Sequence, residues 1–247
     1  MNTLVSIQTC GQPDYCRRAV QTALAHLPPG ASLLVVDEGC PDVAWAEEFR
    51  ADPRFLWERW PENRGYVQAV NQSCQVAVDR GCDVVVWANS DIVFPAGWLW
   101  PLQAALQGPE AVLSGPWTNA PGHQPRQNVR RLLPEYQPDD REEAVTRTAS
   151  LVQALGDFQQ EEDLPYLNGF LMAARVDFLI RNRFNATHYF DPQKVLAGLE
   201  HEWQGRARQL NPYCRFVLAR RSFVFHYKDV SAQRYNGTDP YEYRRPL

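Results

Sequence analysis

The chain has 247 residues, of which 45% are hydrophobic and 22% charged, with a formal net charge of −4. This composition excludes a disordered chain and a general nucleic-acid binder, and it leaves room for one large core. No apolar run approaches the ~20 residues of a membrane-spanning helix, Met1-Asn2-Thr3 lacks the basic start of a signal peptide, and the six cysteines include no Cys-x-x-Cys pair.

The expectation is a soluble, cytoplasmic protein without an integral membrane segment, its thiols reduced and mostly buried. Leu4-Val5-Ser6-Ile7 predicts a first strand, and Asp14 a cap for the helix that carries Ala19, Val20, Ala23, Leu24 and Leu27 on its apolar face. Pro28-Pro29-Gly30 stops that helix, and Leu33-Leu34-Val35-Val36 forms a second strand running into Asp37. A helix near Val43 to Phe49, a strand at Phe55-Leu56-Trp57 and a loop over Pro61 to Gly65 follow. The next helix aligns Val67, Val70, Cys74 and Val78, with Asn71 near the seam. Alternating strands and helices at this spacing mean βαβ units and a parallel sheet.

Asp83 to Asp91 is the most informative stretch. Four apolar residues and Ala88 run into Asn89-Ser90-Asp91, the pattern of a strand buried on both faces that ends in a polar triplet. Open α/β sheets bind ligands at the carboxyl ends of their strands. The Asp91 carboxylate is a hard donor suited to Mg²⁺ or Mn²⁺ carrying a substrate phosphate, although the same triplet also suits a plain turn. No Gly-x-Gly-x-x-Gly or Walker sequence occurs, which argues against dinucleotide oxidoreductases and P-loop enzymes.

Another helix and a strand over Ala111 to Ser114 complete a first half, residues 1–114, within a single domain of residues 1–247. The second half, residues 115–247, opens with a long loop or lid over Gly115 to Pro138 and a helix over Asp139 to Leu155. An apolar segment Phe170 to Ala174, a helix near Leu196 to Leu210 and two short strands at Phe216-Val217-Leu218 and Phe223-Val224-Phe225 follow. From Arg206 onward nine Lys or Arg stand against three acids, an excess that suits a pyrophosphate, an anionic acceptor, a membrane surface or simply a solvated face.

These motifs, in this order, resemble the inverting family 2 glycosyltransferases of the GT-A fold. Val35-Val36-Asp37-Glu38-Gly39-Cys40-Pro41-Asp42 is similar to their Val-Val-Asp-Asp-Gly-Ser-x-Asp segment. Asn63-Arg64-Gly65, with Ala69 and Asn71, resembles Asn-x-Gly-x-x-x-Ala-x-Asn. Asn89-Ser90-Asp91 followed by Pro95-Ala96-Gly97-Trp98-Leu99 resembles the Asp-x-Asp region with Asn in first place. Asn168-Gly169-Phe170 and Phe190-Asp191-Pro192 match weaker markers, Leu199-Glu200-His201-Glu202-Trp203 with Arg206 resembles the Glu-Asp-x-Asp segment, and His226 with Ser231 resembles a late His-x-x-x-x-Ser.

The resemblance implies an α/β GT-A fold: a Rossmann-like, mostly parallel sheet flanked by helices, with a smaller C-terminal acceptor-side portion. It implies a metal-dependent inverting hexosyl- or deoxyhexosyltransferase using a UDP, dTDP or GDP sugar. The acceptor would be a hydroxyl of a glycan, a lipid-linked sugar, a protein or a modified nucleic-acid base. Asp37 would contact the nucleobase beside Thr9, with Asn63, Gly65, Asn71, Asn89 and Ser90 lining the donor site. Asp91 and His226 would hold a divalent metal, Mn²⁺ or Mg²⁺. Alignment on Arg206 makes Glu200 the base and Glu202 the second acid, whereas alignment on Glu200 as the leading Glu puts His201 at the base; the first register keeps both acids. Trp117, Asn119, Arg126, Gly169 and Trp203 fall on the lid or acceptor side, and Trp98, Trp117 and Trp203 suit either stacking on a ligand or the core. Asn89 and the altered Glu200 segment also fit a nucleotide-sugar-binding module with impaired catalysis. A nucleotidyltransferase fits less well, because Thr9-Cys10-Gly11-Gln12 is a poor phosphate loop.

Overall fold

A computed structural model describes residues 1–157, 162–193 and 198–227 of the protein. The first half alternates as β1 (Thr3–Thr9), α1 (Pro13–His26), β2 (Ala31–Asp37), β3 (Phe55–Arg59), α2 (Tyr66–Asp79) and β4 (Val84–Asn89). The short β5 (Ile92–Val93), α3 (Leu99–Ala105) and β6 (Ala111–Thr118) come next. The remainder supplies α4 (Glu142–Leu155), β7 (Glu162–Asp163), β8 (Leu171–Arg175), α5 (Val176–Arg181), α6 (Leu199–Leu210) and β9 (Arg215–His226). All described strands join one sheet in the order β3-β2-β1-β4-β8-β6-β9-β5, with β7 added to β9. Strands β3, β2, β1 and β4 are parallel, and β8 enters antiparallel between β4 and β6. The boundary at 114/115 falls inside β6, so both halves share the sheet.

Helices cover both faces, because β4 is apolar on both. Val84, Val86 and Ala88 pack with α1 and α3, whereas Val85 and Trp87 pack with α2, α4, α5 and α6. That is the period-2 alternation of a strand with two dry faces. Among the described residues, no helix is long and apolar enough to cross a membrane.

Several elements differ from expectation for local reasons. Asp14 does not cap α1: Pro13 opens the helix after Gln12, which is held in the left-handed region (φ 58°), and Asp14 lies in the first turn, where its charge suits the helix dipole. The segment near Val43 is a 3₁₀ helix, Ala44–Phe49. Strand β6 runs four residues into the expected loop, which continues as two short 3₁₀ turns, Pro125–Gln127 and Val129–Arg131. The two short late strands are one, β9. Its polar middle coincides with a register shift against β6 between Gly115 and Trp117, which lets pairing continue through a bulge.

Five of the six cysteines are buried and none is in a disulfide, with Cys10 half-exposed. Burial pushes the Cys16 thiol up to about 12 and Cys74 well above its ordinary value, so these thiols are unreactive. In the native protein a disulfide-exchange reagent such as DTNB is expected to label Cys10 alone on the fast timescale and all six thiols in denaturant. Rapid labelling of more than one thiol in the folded protein would contradict this packing.

Candidate active site

The parallel register sets the acids level at one edge of the sheet. Thr9 pairs with Asp37 and Gln8 with Asn89, so β1, β2 and β4 end together. The Glu38 amide donates to the Thr9 carbonyl at 2.8 Å, tying the two strand ends. Asp37 is fully buried, and its Oδ1 accepts from the Cys40 amide at 2.8 Å. Its Oδ2 has no hydrogen bond among the described residues, with Arg59 Nε 3.3 Å away. Arg59 is anchored in turn by Nη2 donating to the Cys40 carbonyl. Glu38 is also buried, and Oε2 lacks a partner. Burial pushes its carboxyl up to about 7, the neighbouring Asp37 charge adds to this, and a hydrogen bond from the Gly65 backbone works against it. Gly39 (φ 79°) makes this packing possible: a Cβ there would lie 3.1 Å from Glu62 Cα, so the turn and the loop before α2 meet backbone to backbone.

At the end of β4 the chain turns into β5, which pairs Ile92 with His226 of β9. That pairing carries His226 to Asp91: Nε2 lies 3.3 Å from Asp91 Oδ1, an atom that is buried and without a hydrogen bond. Asn89 Nδ2 is 3.5 Å from the same Nε2. The other ring nitrogen, Nδ1, faces the Ala120 carbonyl at 2.9 Å, so it carries the proton. In the neutral ring Nε2 is then a lone pair facing a carboxylate oxygen. Asn119 fixes the residue from behind, its amide bonded in both directions to the His226 backbone, and Phe170 stacks on the ring with centroids 5.2 Å apart.

The third acid comes from the first turn of α6. Glu200 is mostly buried, its side chain 17% exposed, and its Oε1 lies 3.7 Å from His201 Nδ1. A Cβ on Gly169 would lie 3.2 Å from the Glu200 carboxyl carbon, so the glycine leaves the room that the carboxylate fills. Gln204, one turn on, clamps Leu167 by two hydrogen bonds of 2.6 and 2.9 Å and fixes α6 against the segment that leads to β8. Glu202 is held differently, both oxygens engaged by Arg206 at 2.8 and 3.3 Å. His201 is half-exposed and packs on Tyr166. Tyr66, which opens α2, joins the groups: burial first, then the charges of Glu200, Glu38 and Asp91, raise its phenol.

The family model for glycosyl transferase family 2 matches residues 5–181. The chain belongs to that family. GalNAc-T7, solved with UDP, GalNAc and Mn²⁺, is similar in fold (TM-score 0.66, 13% identity, covering 92% of this chain and 44% of that one). So is the mannosyltransferase PcManGT from Pyrobaculum calidifontis with GDP-Man and Mn²⁺ (0.60, 16%, 94% and 59%). S. aureus TarS 1-349 with UDP is a third (0.61, 14%, 91% and 60%). The chain thus spans about half of the length of these structures, and at such identities the likeness establishes the GT-A fold. No curated protein matches.

The other residues that resemble family 2 markers divide by environment. Asn71 has no free group: its amide nitrogen donates to the Val67 and Phe190 carbonyls, and its oxygen accepts from the Tyr189 and Phe190 amides. It ties α2 to the segment before α6. Asn63 accepts from the Gly65 amide and so shapes the loop. Thr9 lies at the end of β1, and Ser90 is buried between Asn89 and Asp91. Trp98, Trp117 and Trp203 are core side chains. Arg126 is ion-paired with Glu162. Ser231 and the end of the basic C-terminal stretch, residues 228–247, lie outside the described residues. Sequence reading missed Glu38, Arg59, Tyr66 and Gln204; only Glu38, beside Asp37, carried a visible signal.

Between Glu38's ordinary value of 4.5 and about 7 the unfolded chain has released a proton that the folded chain still holds, so stability falls as pH rises through that window. Glu38→Gln is expected to remove this contribution. Relative to wild type, the variant should gain on the order of 3 kcal/mol more at pH 8 than at pH 4 in chemical denaturation. An equal difference at both pH values would refute the assignment.

Proposed function

We propose that the chain transfers a glycosyl group from a nucleoside-diphosphate sugar to a hydroxyl acceptor with inversion, assisted by a divalent metal. The observation that carries this reading is that Asp37 and the Asp91–His226 pair lie at the carboxyl ends of neighbouring parallel strands of a family 2 fold. Asp37 offers a carboxylate oxygen that accepts from a nucleobase N–H, beside the Thr9 strand end. Relatives of this fold solved with UDP or GDP-Man support a nucleoside-diphosphate donor.

The residues at the end of β4 fit a metal. A buried carboxylate oxygen without a hydrogen bond faces a histidine nitrogen whose other nitrogen is held by a carbonyl, the outer arrangement common to metal-ligating histidines. Asp91 and His226 would hold Mn²⁺ or Mg²⁺, with the substrate diphosphate and water completing the shell. A bound ion supplies positive charge where the leaving diphosphate develops its own. Among the described residues, no three His, Cys, Asp or Glu side chains form a metal cluster by themselves.

Glu200 is the base in this reading, because its carboxylate has no hydrogen bond among the described residues and Glu202 is held by Arg206. As the acceptor oxygen bonds to the anomeric carbon, the bond to the diphosphate oxygen breaks on the opposite face and the acceptor proton passes to Glu200. The acceptor is a glycan, lipid-linked sugar, protein or modified base. The fold sets no choice among them.

A thermal-shift titration with UDP, GDP and dTDP, each with and without Mn²⁺, tests the donor site. One nucleotide at a hundred times its Kd should stabilise the wild type by about 2.7 kcal/mol, and Asp91→Ala should abolish the metal-dependent part. No shift with any of the three would overturn the reading. Glu200→Gln is expected to keep that shift while lowering turnover of the donor sugar on the order of 10²–10⁴-fold. Donor binding with no turnover in the wild type would identify a binding module instead.

A further inference from the structure

The ladder that brings His226 to Asp91 consists of Ile92 paired with His226 and Val93 with Phe225, and a pairing this short is marginal by itself. One face of α1 grips both of its strands, through Arg18 and Thr22, which lie one turn apart. On the β5 side, Thr22 Oγ1 accepts from the Phe94 amide at 3.1 Å while donating to the Arg18 carbonyl at 2.9 Å. On the β9 side, the Arg18 guanidinium donates to the Tyr227 hydroxyl and, at 3.0 Å, to Asp140 Oδ2. The Tyr227 hydroxyl donates to the same Asp140 oxygen at 2.7 Å, and its ring meets Tyr15 of α1 edge-on, centroids 4.8 Å apart. Tyr227 directly follows His226, and its amide donates to the Asp91 carbonyl at 3.0 Å. The segment that carries both members of the Asp91–His226 pair is thus fastened to α1 and to Asp140, just before α4.

We propose that Arg18, Asp140 and Tyr227 are positioning residues for the divalent metal, a clamp that holds His226 against Asp91 and so sets the affinity for the ion. The inference rests on the metal-assisted reading above. None of the three offers an atom to the ion in this arrangement; each acts through the backbone on which Asp91 and His226 sit. The Arg18 side chain is 33% exposed and that of Asp140 48%, and an ion pair so exposed adds little to the stability of the fold. What the clamp fixes is direction. Arg18 and Asp140 meet the Tyr227 hydroxyl from two sides, and the ring is thereby tied to α1 while its own amide stays on Asp91. Residues that orient metal ligands from behind alter metal affinity strongly without touching the ion.

Mn²⁺ is the probe, titrated into the full chain and followed by the electron paramagnetic resonance of the free ion, first alone and then with UDP, GDP or dTDP. Asp91→Ala serves as the blank that defines the site. Asp140→Asn and Tyr227→Phe are each expected to weaken Mn²⁺ binding about tenfold while still melting cooperatively. The double variant should bind no more weakly than the weaker single one, because both changes break the same cluster. Glu48→Gln, which releases Arg17 from its own ion pair beside Arg18, should leave the Mn²⁺ Kd unchanged. An unaltered Kd in both clamp variants, or an equal loss in Glu48→Gln, would overturn the inference and leave the donor reading in place. If Asp140→Asn does not fold, Tyr227→Phe, which deletes a single oxygen, decides by the same criterion. A wild type that binds no more Mn²⁺ than Asp91→Ala, with or without the nucleotides, would remove the metal from the proposed function, and this inference with it.

Discussion

Strand β4 is hydrogen-bonded on both edges, to β1 in parallel and to β8 antiparallel, and is packed on both faces. Each fully buried Val or Trp here contributes on the order of 1.5–3 kcal/mol relative to exposure, and a one-residue slip would exchange the two faces. The register is therefore fixed, and with it the point at which Asn89-Ser90-Asp91 leaves the sheet. Everything chemical in the molecule is measured from that point. Asp37 is level with it through β1, β9 brings His226 back to it through β5, and β8 links it to the α6 acids.

The two halves of the site are held together by amide side chains rather than by ion pairs. Asn71 fastens α2 to residues 189–190, and Gln204 fastens α6 to Leu167. Both are buried, and each uses donor and acceptor at once. Such pairings are specific in direction and insensitive to salt, and leaving one half unmade is expensive. They suit the task of keeping Glu200 at a fixed distance from Asp91, since the two lie on elements far apart in sequence.

What could be read in the sequence follows from range. The acids Asp37 and Asp91 were visible because each ends an apolar run, and such runs are local. Glu200 was visible through its neighbours Glu202 and Arg206, whereas its approach to Gly169 and the ion pair that engages Glu202 are set by the fold. The single strand β9 was hidden because its polar middle imitates a turn. A bulge defined only by its partner β6 keeps it paired. Trp117 and Trp203 show the converse: aromatic residues beside family motifs that turn inward to the core.

The remaining problem is charge. In the proposed reading a crevice lined by Asp37, Glu38, Asp91 and Glu200 must admit a diphosphate, and like charges at such range oppose binding. Two features of the chain reduce the repulsion before any ligand arrives. Glu38, pushed up to about 7 by burial, keeps its proton on the acid side of that value. Asp91 and His226 leave a carboxylate oxygen and a ring nitrogen 3.3 Å apart, an arrangement that a cation between them and the diphosphate relieves. Binding of cation and diphosphate is then reciprocal, each raising the affinity for the other by the same factor. An acidic crevice of this kind has little hold on a diphosphate arriving alone, and it discriminates in favour of the metal-bound nucleotide by repulsion as much as by contact.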